Sequence, residues 1–160
     1  YEISTRDWSS DVCSSDLSDI LFLNNLKNNI NINKNIKYLF IDMNTKPNTW
    51  GNPGPNASNV QKINYSDQIK NLSKNEQMSI DLILIDGRFR VACCLKCYDV
   101  IKDDCLIAFD DFLDRPQYHI VLDYFDIVRQ NPGGRMVILK KKNNVKIPTE
   151  LIINYELDPN

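Results

Sequence analysis

The stretch Ile80–Phe112, IDLILIDGRFRVACCLKCYDVIKDDCLIAFDDF, constrains the fold more than any other part of the chain. It contains two apolar runs, Asp81–Ile85 and Cys105–Phe109, and each is followed at once by acid: Asp86-Gly87 and Asp110-Asp111. Between them Phe89–Ile101 has the length of a helix, with Phe89, Cys93, Leu95, Val100 and Ile101 available for a buried face. Strand, helix and strand within about 30 residues make a βαβ unit, and unbroken apolar strands suit a parallel sheet covered on both faces. Such crossovers are right-handed, so both strands end on one edge of the sheet. Polar groups just past those ends sit where open α/β sheets bind ligands. Asp86, Arg88, Asp110 and Asp111 are therefore expected to share one site.

With 160 residues the chain suits a single domain. A net charge of −2 gives no global field that favours nucleic acid or an anionic membrane. No apolar run approaches the roughly 20 residues needed to cross a bilayer, and Tyr1–Leu17 lacks the apolar centre of a signal peptide. That opening segment, YEISTRDWSSDVCSSDL, instead resembles the conceptual translation of a common short-read sequencing adapter, in frame from Asp7 into Leu17. Residues 1–17 are accordingly set aside as an artefact, residues 18–142 are read as the domain, and residues 143–160 as an extended tail or weak strand. On this reading the gene begins upstream and its amino-terminal part is missing.

Setting Cys13 aside leaves Cys93, Cys94, Cys97 and Cys105. Cys94 and Cys97 form a C-x-x-C that suggests a redox pair or half a zinc site. The pair falls inside a helix, though, and no second pair follows. Small buried thiols of a reducing compartment are the plainer reading, and the expected location is cytoplasmic.

Along the chain, Ser18–Asn29 reads as a short helix and Ile36–Asp42 as a strand. Met43–Val60, with three prolines, two glycines and Trp50, reads as a long loop. The loop either packs over the site through Trp50 or is merely anchored by it. Ser66–Leu72 reads as a short helix and Ser73–Ser79 as a polar turn. A helix starts at Asp114-Arg115-Pro116 and runs to Phe125, with Asp114 as its cap. Asp126–Arg129 and Arg135–Lys141 flank Asn131-Pro132-Gly133-Gly134 as an antiparallel hairpin. The expected class is α/β: a Rossmann-like sheet whose parallel strands close on an antiparallel hairpin.

This outline resembles the carboxy-terminal two-thirds of the class I S-adenosylmethionine-dependent methyltransferase fold, here lacking its first strands. Trp50-Gly51-Asn52-Pro53, Asp81–Leu95, Phe109–His119 and Gly134-Arg135-Met136 look like a group of small bacterial and viral methyltransferase-like proteins. The family's glycine-rich cofactor turn has no counterpart, because none of the five glycines makes a G-x-G. Truncation accounts for its absence, and such a fragment is expected to bind the cofactor poorly and to be inactive.

The resemblance implies S-adenosylmethionine as cofactor and places Asp86 near the methyl group as a catalytic carboxylate. Asp86 with Asp110 or Asp111 resembles the oxygen cluster of metal-dependent O-methyltransferases, where hard oxygens select Mg2+. Against this, Asp110-Asp111 is equally read as a turn at a strand end. Arg88 is placed on a substrate carboxylate or phosphate, although Arg88 and Arg90 could instead bridge to Asp110, Asp111 or Asp114. Arg115 and Tyr118 are expected to contact substrate, and His119 to serve as a general base or else as a packing residue. The implied substrate is a small hydroxylated or glycan-linked acceptor. A binding module that has lost catalysis, or another Rossmann-like enzyme such as a nicotinamide dehydrogenase, remains open.

Overall fold

Two apolar runs of four residues set the sheet. In the computed structural model, which describes residues 40–46, 49–130 and 133–160, β1 (Leu82–Ile85) and β2 (Leu106–Phe109) lie side by side and parallel. Their register pairs Leu82 with Leu106 and Ile85 with Phe109, so the two strands end level. The crossover between them carries α3 (Arg90–Cys97), preceded in the chain by α1 (Asn59–Ser66) and α2 (Lys74–Ser79). β3 (Phe125–Gln130) and β4 (Val137–Lys141) form the expected antiparallel hairpin. β4 inserts next to β2, and the order across the sheet is β1-β2-β4-β3.

The strands bury Ile83, Ile85, Ile107, Phe109, Val137 and Leu139. The helix α3 covers one face with Val91, Cys94 and Leu95, joined by Phe112, Tyr118, Val121 and Phe125. Each such side chain contributes about 1.5–3 kcal/mol relative to leaving it in water, so this cluster is what fixes the level strand ends. Cys94, Cys97 and Cys105 are buried and Cys93 half-buried, all as free thiols. Burial pushes Cys93 up to about 12 and Cys105 up to about 11. Cys94 and Cys97 lie well above the ordinary thiol value for the same reason. These are packing residues, and none is poised as a nucleophile or metal ligand.

Several local expectations are corrected. A helix begins at Asn59, inside the expected loop, and a 3₁₀ turn over Gln68–Asn71 replaces the helix placed at Ser66–Leu72. The polar turn at Ser73–Ser79 is the helix α2. Both α1 and α2 start on capping boxes, Ser58 with Gln61 and Ser73 with Glu76, in which each side chain satisfies the other's backbone N–H. Pro116 opens a 3₁₀ helix, Pro116–Asp123, whose cap position is Arg115 without a side-chain cap. The last stretch is not extended: Thr149–Glu156 forms α4. Leu151, Ile152 and Tyr155 share one face of it and pack on the core, a spacing of one and four residues that belongs to a helix. Phe40–Asp42 has no regular structure, while the rest of the strand placed at 36–42, the helix placed at 18–29 and residues 1–17 lie outside the described residues. No helix among the described residues is long and apolar enough to cross a membrane.

Candidate functional site

Because β1 and β2 end level, the residues that follow them meet. The Asp110 backbone N–H donates to the Ile85 carbonyl at 3.0 Å, which continues the ladder one step and sets Asp86 beside Asp110. Above this rim opens a cavity of about 580 Å³. Four arginines (88, 90, 115 and 135) line it together with Asp86, Asp110 and Asp111, and Trp50 stands at its side.

Asp111 organises the cationic half. Its backbone is left-handed, with φ 56°, a conformation that short polar residues tolerate best. The turn carries its carboxylate inward, where Arg115 Nη2 donates to Oδ2 at 2.7 Å and Arg90 Nη1 lies 3.2 Å from the same oxygen. Arg135 Nη1 makes an ion-pair contact with Oδ1 at 2.6 Å. Arg90 also reaches Asp86 at 3.4 Å and donates to the carbonyls of Gly87 and Asp110, both at 2.7 Å. It is a buried brace across the rim rather than a substrate contact.

Asp86 is the accessible acid, its side chain 45% exposed. Desolvation by burial raises its carboxyl above the ordinary value; Arg90 opposes this, and Asp110 adds to it by repulsion and hydrogen bonding. Asp86 therefore holds a proton more readily than a solvated carboxylate does.

Arg88 has no carboxylate partner among the described residues. Its Nε and Nη2 both donate to the Trp50 carbonyl, at 2.9 and 2.8 Å. The loop is thus held over the site through its backbone, while the Trp50 ring is 87% exposed, contrary to the buried anchor its type suggests. Positive φ at Trp50 and Gly51 (54° and 74°) turns the carbonyl inward and the ring out.

Tyr118 and His119 are not brought to the cavity. Tyr118 is buried against Phe109, its hydroxyl accepts from Arg115 Nη1 at 2.9 Å, and Arg90 and Arg115 stack on its ring. It positions arginines instead of touching a ligand. The His119 ring packs on Phe112 and its Nε2 lies 3.1 Å from the Phe112 carbonyl, the packing alternative to a general base. Arg135 is a site residue that the sequence reading did not single out, whereas Arg90 takes the bridging role held open for it, to Asp111 and the Asp110 carbonyl. The signal for Arg135 was its place in Gly134-Arg135-Met136, one of the stretches that carries the family resemblance.

The donors do not fit Mg2+. Both Asp111 oxygens are held by guanidinium groups, Arg90 stands between Asp111 and Asp86, and no cluster of three metal-ligating side chains occurs among the described residues. Nor do the described residues make a glycine-rich cradle for S-adenosylmethionine. Gly87 stands alone after β1, and Gly54 packs against the Asn44 carbonyl.

No family model matches the chain, and no curated protein matches it in sequence. Among solved structures it is similar to a methyltransferase-like protein from Silicibacter pomeroyi. The TM-score is 0.70 at 21% sequence identity, covering 94% of this chain and 76% of that one. The fold is methyltransferase-like. In this methyltransferase-like fold, the paired acids at the ends of β1 and β2 and the arginines around Asp111 share a single opening.

Proposed function

We propose that the chain supplies the acceptor side of an S-adenosylmethionine-dependent O-methyltransferase. The observation that carries this reading is Asp86 beside Asp110 at the rim of two parallel strands, open to a cavity large enough for a small molecule. A hydroxyl is a poor nucleophile until it loses its proton, and Asp86, raised above a solvated carboxylate, is a suitable group to take it. Asp110 shares the hydrogen bond, and Arg90 holds both acids in place through Asp86 Oδ1 and the Asp110 carbonyl. Arg88, tethered to the Trp50 carbonyl, keeps the Met43–Val60 loop against the opening. The acceptor is a small hydroxylated molecule or a glycan-linked one.

The test is to titrate the protein with S-adenosylmethionine by calorimetry and to assay methyl transfer to hydroxylated acceptors. Binding heat, with methyl transfer that Asp86→Asn abolishes, is the expected result; no detectable heat overturns the reading. The neutralisation of Asp111 by three arginines favours one alternative, a binding module without catalysis. Cofactor binding with no transfer to any hydroxylated acceptor would select it.

A further inference from the structure

The lining of the cavity carries more positive than negative side chains, and the excess is placed unevenly. Asp111 alone meets Arg90, Arg115 and Arg135, so one carboxylate faces three guanidinium groups. Arg88 is held by a carbonyl, which leaves its charge uncompensated. Of these, Arg115 and Arg135 remain accessible, their side chains 37% and 62% exposed. Each guanidinium has five N–H donors. Arg115 donates to Asp111 and Tyr118, and Arg135 makes an ion-pair contact with Asp111, so both keep donors beside a common anchor. Two forks pinned to the two oxygens of one carboxylate make a seat with more donors than a second carboxylate can fill. A tetrahedral oxyanion, with three free oxygens and up to two charges, uses them.

The opposite side of the opening has the reverse character. Asp86 and Asp110 only accept hydrogen bonds when ionised, so they select groups that donate, such as hydroxyls. Trp50 lines the same opening from its side, with its ring 87% exposed.

We propose that the acceptor is a phosphorylated sugar. Its phosphoryl group sits on Arg115 and Arg135, its hydroxyls face Asp86 and Asp110, and its ring lies against Trp50. This rests on the reading of Asp86 as the group that receives the acceptor hydroxyl. A nucleotide fits less well, because its base would need an apolar slot and the described lining is predominantly charged.

The chain has two tryptophans, Trp8 and Trp50, so a Trp8→Phe background isolates the fluorescence of Trp50. Titration of that variant of the 160-residue chain with a glucose monophosphate is expected to change the emission saturably. Glucose and glucuronate should bind at least roughly tenfold more weakly, and Arg135→Ala should cost about tenfold in affinity for the phosphate ester. Arg135 is surface-exposed, so its loss leaves the fold intact, as circular dichroism will show. Calorimetry on Trp50→Phe, which retains the arginines, provides a second readout of phosphate-ester binding. No saturable binding by either method, equal affinity for glucuronate, tighter binding of adenosine monophosphate, or an unchanged affinity in Arg135→Ala overturns the proposal. Phosphate-ester binding without methyl transfer sinks the methyltransferase reading alone, whereas methyl transfer to a neutral acceptor without such binding sinks only this one.

Discussion

The Lys96 ammonium meets the Glu156 carboxylate at 2.5 Å, with the lysine side chain wholly buried. The same ammonium reaches Asp67 at 2.9 Å and donates to Ser66 Oγ at 2.8 Å. One residue of the crossover helix α3 thereby ties the end of α1 to the carboxy-terminal helix α4. The Phe89 backbone N–H, at the start of α3, donates to the Pro159 carbonyl at 3.4 Å, so the carboxy terminus also touches the rim of the cavity.

Removing the charge at the centre of that knot should be costly. Lys96→Ala leaves the partly buried Asp67 and Glu156 carboxylates without it and is expected to lose about 1–3 kcal/mol in urea denaturation. Lys96→Met keeps the stem's volume, and should lose less. Burial pushes Asp67 up, but hydrogen bonds from Lys70 and Lys96 outweigh it and hold the carboxyl below its ordinary 3.8. Its share of stability is therefore present above that pH and lost as the pH falls through the depressed value. Equal stability of the wild type and Lys96→Ala would show that the knot is ornamental.

Asp111→Asn keeps a side chain suited to the left-handed backbone but removes the charge that three arginines surround. Arg90, itself buried, keeps its carbonyl contacts but is left with the longer contact to Asp86 as its remaining ion pair. A loss of about 3 kcal/mol is expected from equilibrium unfolding. A variant as stable as the parent would mean that the arginines repel little and that the seat is not prestressed toward anions.

Asp86→Asn should separate stability from activity. The carboxyl of Asp86 is raised in the folded state, so the folded protein holds its proton more tightly than the unfolded chain does. The contribution of Asp86 to stability is greatest in acid and falls as the pH rises from its ordinary 3.8 through the raised value. At neutral pH the asparagine variant is expected to be modestly more stable than the parent, and the advantage should vanish below about pH 3.8. Denaturation midpoints of both proteins across that range will decide it, and a less stable variant at neutral pH would contradict the burial argument.

Gly54→Ala probes the loop. A Cβ there would stand 1.9 Å from the Asn44 carbonyl oxygen, and the Gly54 N–H already donates to the Met43 carbonyl at 2.8 Å. The loop must shift, with a cost of about 1–3 kcal/mol. It should also weaken the grip of Arg88 on Trp50, visible as a change in Trp50 emission. In contrast, His119→Ala removes stacking on Phe112 and one carbonyl contact, a cost of about 1–2 kcal/mol. It should leave the turnover of folded protein unchanged, and a large loss of turnover would restore His119 to the reaction.

Much of this was legible in the chain itself. The two apolar runs ending in acid pointed to a parallel pair, although Leu82 and Leu84 leave one face of β1 less covered than β2. The crossover rule then brings Asp86 next to Asp110 without further information. The hairpin followed from the residues around Pro132, and the cysteines read correctly as packing residues. Local signals also existed for α1 and α2, in the Ser58–Gln61 and Ser73–Glu76 capping pairs, but they are short and easily passed over among polar residues.

Tertiary structure alone decided the rest. Leu151–Leu157 was read as a weak strand, and the helix is selected by packing of Leu151, Ile152 and Tyr155 on the core together with the Lys96–Glu156 contact, which joins residues 60 positions apart. Likewise, sequence offers Arg88, Arg90, Arg115 and Arg135 as equivalent cations. Folding separates them: Arg90 becomes a buried brace, Arg88 a tether for a loop, and Arg115 and Arg135 the exposed forks on Asp111. Local sequence determines which strands form and where they stop, since that depends on near neighbours. Which charge finds which partner depends on distances that exist only after the core has closed.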